Sequence, residues 1–244
     1  MGELHVSSIG YEVDGQRFES RLVYDPAVVG PRPGLVMAPN WMGVGAGAEE
    51  IARSVAGQRY VVLLADLYGQ AVRPRNAEQA GAAMTPLKED RALLRRRMRA
   101  ALDALLNQSE AAVDRECLAA FGFCFGGCCA LDLARDGAPL KAAISFHGTL
   151  DTPDPTDARR IQGAVLALDG AEDPLVPREH LVSFKQEMSA AGVDWQLTSY
   201  GGAVHSFTDP TANNPGKQQY NPTVARRAYQ AMHNLLDEVF ARSP

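Results

Sequence analysis

Cys117-Leu118-Ala119-Ala120-Phe121-Gly122-Phe123-Cys124-Phe125-Gly126-Gly127 is the stretch that decides the fold. The unbroken apolar row from Cys117 to Phe121 is what a strand buried on both faces of a sheet requires. Gly122-Phe123-Cys124-Phe125-Gly126 has the spacing of a nucleophile elbow, Gly-x-Ser-x-Gly, with cysteine in the place of serine. Such a turn is sterically tight, so the positions two before and two after the nucleophile must be small, and Gly122 and Gly126 meet that demand. A helical run follows to Ala134, which sets the motif between a strand and a helix. A sulfur at the first turn of that helix feels the positive end of the helix dipole, which favours thiolate over thiol.

Working outward, the chain alternates buried strands with helices. Upstream, residues 11–24 alternate polar and apolar side chains around Asp14-Gly15, the pattern of a β-hairpin. Gly34 to Ala38 and Tyr60 to Ala65 are short apolar strands, and residues 48–57 between them read as a helix. Leu87, Leu94, Met98, Leu102 and Leu105 recur at three- and four-residue spacing, predicting one long amphipathic helix over 86–106. Downstream, apolar strands are expected at 142–146 and 164–168 and a further strand at 195–200, with helices over 178–191 and 222–241. This order predicts an α/β protein with a mostly parallel sheet covered on both faces, folded as one domain over 1–244. In such sheets the chemistry lies in loops beyond the carboxyl ends of the strands.

Two of those loops carry partners for Cys124, in the order nucleophile, acid, histidine. Asp173 lies in Leu168-Asp169-Gly170-Ala171-Glu172-Asp173-Pro174, directly after a strand, with Asp169 and Glu172 as competitors for the acid. His205 lies in Gly201-Gly202-Ala203-Val204-His205-Ser206-Phe207, after the last strand. His5 is terminal and His180 and His233 fall in helical patterns, whereas His147 follows a strand and is placed to line a pocket.

Gly122-Phe123-Cys124-Phe125-Gly126-Gly127, the Asp173 loop and Val204-His205-Ser206-Phe207 together resemble the dienelactone hydrolase family, over most of the chain and including Asp66-Leu67-Tyr68-Gly69. The resemblance implies an α/β-hydrolase fold and hydrolysis of esters or lactones through an acyl-cysteine intermediate, without a metal or organic cofactor. It assigns Cys124, Asp173 and His205 to the triad and the backbone N–H groups of Trp41 and Phe125 to the oxyanion hole. Asn40, Trp41, Met42 and Phe207 become candidate substrate contacts, in an apolar pocket that also draws on Phe123 and Phe146. Two positions depart from the family pattern. Asn40 stands where well-known members carry a glutamate that helps remove the thiol proton, and Thr208-Asp209 stands where they carry an arginine that holds a substrate carboxylate. A negative Asp209 would repel that carboxylate, so neutral esters or lactones are the expected substrates, with activated phosphotriesters as a side activity.

Composition narrows the alternatives. A net charge of −5 argues against a nucleic-acid surface. The dense basic run of Arg91, Arg95, Arg96, Arg97 and Arg99, interspersed with acids, reads as a solvated helix face. No 18-residue apolar run suggests a membrane span, and the absence of a leader pattern at the start points to a cytoplasmic protein. The four cysteines, 117, 124, 128 and 129, lie too close together to staple a fold and lack the spacing of a zinc site. A thiol redox protein using Cys124 and Cys128, one helical turn apart, is the rival from another class, and a non-catalytic binding protein on the same fold is a third reading. Nothing in the sequence sets the oligomeric state.

Overall fold

Strand pleating sends successive side chains to opposite faces, and in this chain both faces are apolar. In the computed structural model, which describes residues 3–241, β3 (Arg32–Ala38) buries Leu35 and Met37 in one core and Val36 and Ala38 in the other. β4 (Val61–Leu64) divides in the same way, with Val62 and Leu64 on the first side and Val61 and Leu63 on the second. A strand of this kind needs helices above and below it. One layer consists of α1 (Ala46–Ala56) and α6 (Pro222–Ala241), which supply Ala52, Val55, Ala228, Met232 and Leu236 to one core. The opposite layer contains α2 (Ala77–Glu89), α3 (Arg91–Asn107), α4 (Phe125–Arg135) and α5 (Arg178–Ala191).

The hairpin of β1 (His5–Val13) and β2 (Gln16–Tyr24) turns at Asp14-Gly15 and starts earlier than the alternation from Tyr11 indicates. β2 runs antiparallel to β4, and all later neighbours are parallel. With β5 (Val113–Phe123), β6 (Ala142–Phe146), β7 (Ala164–Gly170) and β8 (Trp195–Tyr200), the eight-stranded order is β1-β2-β4-β3-β5-β6-β7-β8. The α/β class and the mostly parallel sheet are therefore as the sequence indicates. A two-stranded ribbon, β9 (Asn213–Asn214) and β10 (Gln218–Gln219), extends the loop after His205. Among the described residues no helix is long and apolar enough to cross a membrane.

Two expectations are corrected. The helix expected over 86–106 is two helices that break at Asp90, a residue that serves both ends. Its backbone N–H closes α2 on Pro86 O, and its carboxylate accepts from Leu93 N to start α3. Apolar spacing spans that break because Leu87 and Leu94 still fall into the same core.

The basic run is not a solvated face. Arg91 and Arg95 reach beneath α3 to Asp132 on the fully buried helix α4, and continue to Asp151 and Asp157 respectively. Arg135, also on α4 and entirely buried, holds Glu187 of α5 through Nε and Nη2, each at 2.8 Å. Of the five arginines, Arg96 is the most exposed. The apolar positions of α3 fill the turns between the arginines, so local sequence carries no sign that these cations face inward.

Removing one partner of a buried ion pair leaves the other uncompensated, at a cost of about 3–5 kcal/mol. Asp132→Ala, which strips the carboxylate shared by Arg91 and Arg95, should lower stability by about that amount in urea unfolding. Arg96→Ala should change it by less than about 0.5 kcal/mol. Equal effects of the two substitutions would contradict the buried-network account.

Candidate active site

The elbow is built by backbone crowding. A Cβ on Gly126 would lie 2.1 Å from Ala38 O and 2.4 Å from Pro39 O, and one on Gly122 would lie 2.1 Å from Gly126 O. Only hydrogen at these two positions lets the end of β5 and the start of α4 pass over the end of β3. The chain reverses at Cys124 with φ 54° and ψ −120°, a left-handed conformation that is strained for any residue with a side chain. The strain is held from outside, because Cys124 N donates to Phe146 O at 3.0 Å and Cys124 O accepts from Gly127 N at 3.0 Å. The result is a partly exposed cysteine at the N-terminus of a helix whose every residue is buried.

Asp173 and His205 meet on neighbouring loops. His205 Nδ1 donates to Asp173 Oδ2 at 2.8 Å, and the second carboxylate oxygen accepts from Leu175 N at 2.8 Å, which fixes the acid's orientation. Both competing acids are engaged elsewhere. Asp169 is held by Arg178 at 2.8 Å and by Ser199 Oγ at 2.7 Å, and Glu172 accepts from Gly202 N at the surface. The His205 loop is braced by the ribbon beyond it, since Gln219 N donates to His205 O and Asn221 N to Phe207 O, each at 3.0 Å.

Electrostatics set the state of the imidazole. Burial alone would lower the His205 pKa, but the bond to Asp173, reinforced by the Cys124 thiol, outweighs it and raises the value to about 10. The sulfur is thus close enough to act on the ring, although Nε2 is buried and has no formed hydrogen bond among the described residues. His147 packs edge-on against His205 with ring centroids 5.0 Å apart. Its Nε2 is bonded to Thr208 Oγ1 at 2.8 Å, and burial, aided by His205, holds its pKa well below the usual imidazole range. A neutral His147 therefore adds no second cation beside His205.

Across the elbow, two backbone N–H groups lack acceptors among the described residues. Phe125 is the first residue of α4, where no preceding turn can accept its N–H. In the loop after β3, Trp41 N makes no hydrogen bond, while its neighbours do: Met42 N donates to Asn40 Oδ1 and Gly43 N to Asn40 O, both at 2.9 Å. Asn40, Trp41 and Met42 are each partly exposed beside this loop.

Phe207 is placed differently from the expected substrate contact. It is fully buried and packs edge-on against His147 and Tyr200, so it supports the histidine loop from beneath. Phe123 and Phe146 are likewise core, stacked with centroids 4.7 Å apart. Sequence reasoning gives Tyr68 no task beyond its place in Asp66-Leu67-Tyr68-Gly69, yet its hydroxyl donates to Trp41 O at 2.8 Å. The residues around Tyr68 in sequence carry no signal of so long-range a bond.

Similarities to known proteins extend over most of the chain. The sequence model of the dienelactone hydrolase family matches residues 19–240. A probable 2-oxo-3-(5-oxofuran-2-ylidene)propanoate lactonase of Bradyrhizobium sp is 29% identical over 230 residues, covering 88% of each chain. The solved structure named m3DLH superposes with a TM-score of 0.91 at 44% identity, covering 98% of this chain and 99% of its own. A dienelactone hydrolase-like promiscuous phosphotriesterase from metagenomic libraries superposes at 0.90 with 40% identity, covering 98% and 99%.

The His205 shift has a consequence for stability. A pKa raised from 6.5 to about 10 means the folded state holds the proton more tightly than the unfolded chain. That stabilisation is fully present below pH 6.5 and is lost as pH rises through about 10. Asp173→Asn weakens the largest raising contact, so the gap in thermal midpoint between wild type and variant should be widest near pH 6 and narrow toward pH 10. A gap that is constant or grows with pH would contradict this assignment of the shift.

Proposed function

Because the chain belongs to the dienelactone hydrolase family, we propose that this hydrolase cleaves neutral carboxylic esters or lactones through an acyl group carried on Cys124. The observation that supports this most directly is the His205–Asp173 pair, held on loops next to a strained, partly exposed cysteine at a helix N-terminus. In acylation His205 Nε2 takes the Cys124 thiol proton and the thiolate attacks the carbonyl carbon. The negative charge passes to the carbonyl oxygen, which the N–H groups of Trp41 and Phe125 stabilise, each worth on the order of 3 kcal/mol. As the tetrahedral intermediate collapses, the C–O bond breaks and the leaving oxygen takes a proton from His205 Nε2. In deacylation water attacks the thioester carbonyl, His205 accepts its proton, and the C–S bond breaks to release acid and regenerate the sulfur nucleophile. Asp173 holds the tautomer that leaves Nε2 facing this chemistry.

The neutral preference rests on the residues after Phe207. Thr208 is committed to His147, and the Asp209 carboxylate accepts from Thr211 N and Oγ1 at 2.8 and 2.7 Å, so no cation there meets a substrate carboxylate. Trp41 and Met42 offer partly exposed apolar surface, on the turn whose start packs against the elbow, for the acyl or leaving group. A phosphotriester presents a phosphoryl oxygen that can use the same two N–H groups, and the relative described as a promiscuous phosphotriesterase makes that side activity part of the proposal. The same geometry argues against a redox pair of Cys124 and Cys128. Cys128 is fully buried against Arg91 and Asp132, and burial pushes its thiol up to about 12, which leaves it a poor thiolate.

Steady-state hydrolysis of p-nitrophenyl esters tests the proposal. Cys124→Ala and His205→Ala should each lose on the order of a thousandfold in kcat/KM or more. Activity that survives loss of Cys124 would contradict it. In a paired comparison, a neutral aryl ester should give a higher specificity constant than a carboxylate-bearing dienelactone, and a paraoxon-like triester should give slow turnover or a phosphoryl adduct on Cys124. A strong preference for the anionic lactone would overturn the substrate assignment alone.

A further inference from the structure

An N–H group serves an oxyanion only if its peptide plane is already fixed when charge develops. Trp41 lies between two peptide groups, and both are fixed. The 40–41 peptide carries the free Trp41 N–H, and its carbonyl, Asn40 O, accepts from Gly43 N at 2.9 Å. The 41–42 peptide is held at both ends. Its carbonyl, Trp41 O, accepts from Tyr68 Oη at 2.8 Å, and its N–H, on Met42, donates to Asn40 Oδ1 at 2.9 Å. From this geometry we infer that Tyr68 and the Asn40 carboxamide are positioning residues, which together lock the turn so that Trp41 N–H stays directed at the substrate oxygen.

Tyr68 is suited to that task because it is itself immobilised. Asp66 Oδ1 accepts from Tyr68 N at 3.1 Å and from Gly69 N at 3.0 Å, and Tyr68 O accepts from Gln16 Nε2 at 2.8 Å. Its ring lies against the turn so closely that a Cβ on Gly43 would meet it at 3.0 Å. Burial, reinforced by the thiols of Cys129 and Cys124, raises the phenol far above its usual value, so the hydroxyl remains a donor at any working pH. Asn40 supplies an acceptor without charge. A carboxylate at that place could accept the same bond but would set a negative charge beside the forming oxyanion. The asparagine thus contributes by fixing the turn, with thiol deprotonation resting on His205.

The inference rests on the acyl-cysteine reading, and two rates measured on the same thiol separate them. Acylation, read as the p-nitrophenol burst from p-nitrophenyl acetate, develops an oxyanion. Alkylation of Cys124 by iodoacetamide displaces iodide at a saturated carbon and develops none. Tyr68→Phe and Asn40→Ala should each slow acylation roughly tenfold while the alkylation rate stays within about twofold of wild type. The double variant should be little slower than the slower single one, because both side chains hold one peptide group. Asn40→Asp should restore the bond to Met42 N but not the burst rate. Unchanged acylation in Tyr68→Phe would overturn the inference, as would a parallel fall in both rates, which marks a merely structural role. A wild-type protein whose ester turnover is undiminished once Cys124 is fully alkylated would remove the acyl-cysteine reading, and this inference with it.

Discussion

The tightest constraint in the molecule is the passage of the elbow backbone over the end of β3, where a single carbon added at Gly126 would sit 2.1 Å from Ala38 O. That contact places Cys124 directly beside the 39–43 turn and so joins the proposed nucleophile to one proposed oxyanion donor. It also forces α4 to start at the middle of the sheet, between β3 and β6, where the loops after β7 and β8 can reach it. The strain at Cys124 persists because strands on both sides hold it, through the Phe146 carbonyl and the parallel pairing of β5 with β3. A site arranged in this way is rigid before any substrate arrives.

Rigidity at one end of α4 is matched at the other. Every residue of this helix is buried, which would be expected of a purely apolar segment, yet it carries Asp132 and Arg135. Arg91 and Arg95 from α3 and Glu187 from α5 neutralise them and hydrogen-bond their polar atoms, so the charges are paired rather than isolated. The same network joins α3, α4, α5 and the loop at Asp151 into one unit behind Cys124. His147 plays a comparable part on the histidine side, where a neutral ring tied to Thr208 packs edge-on against His205.

Much of this is legible in the sequence because the relevant signals are local. Gly122-Phe123-Cys124-Phe125-Gly126 encodes its own crowding, and the apolar runs that flank it encode burial on both faces. The order Cys124, Asp173, His205 can be read from loops that come after strands, and the structure then separates Asp173 from Asp169 and Glu172 by their hydrogen bonds. The features hidden from sequence are long-range. Nothing around Arg91 or Arg95 reveals that their partner lies on another helix, and nothing around Tyr68 reveals Trp41. The helix break at Asp90 is hidden because apolar periodicity reports which face is buried, not whether the backbone is continuous. Phe207 reads as a pocket residue for the converse reason: position beside His205 in sequence says nothing about which way the ring turns.

The central claim is that Cys124 carries the acyl group. Quenching wild-type protein within milliseconds of mixing with an activated aryl ester, then mapping the mass increase by peptide mass spectrometry, tests it most directly. The account predicts one acyl group per chain, located on Cys124 and absent when His205 is replaced by alanine. Turnover with no adduct, or with the adduct on another residue, would contradict it.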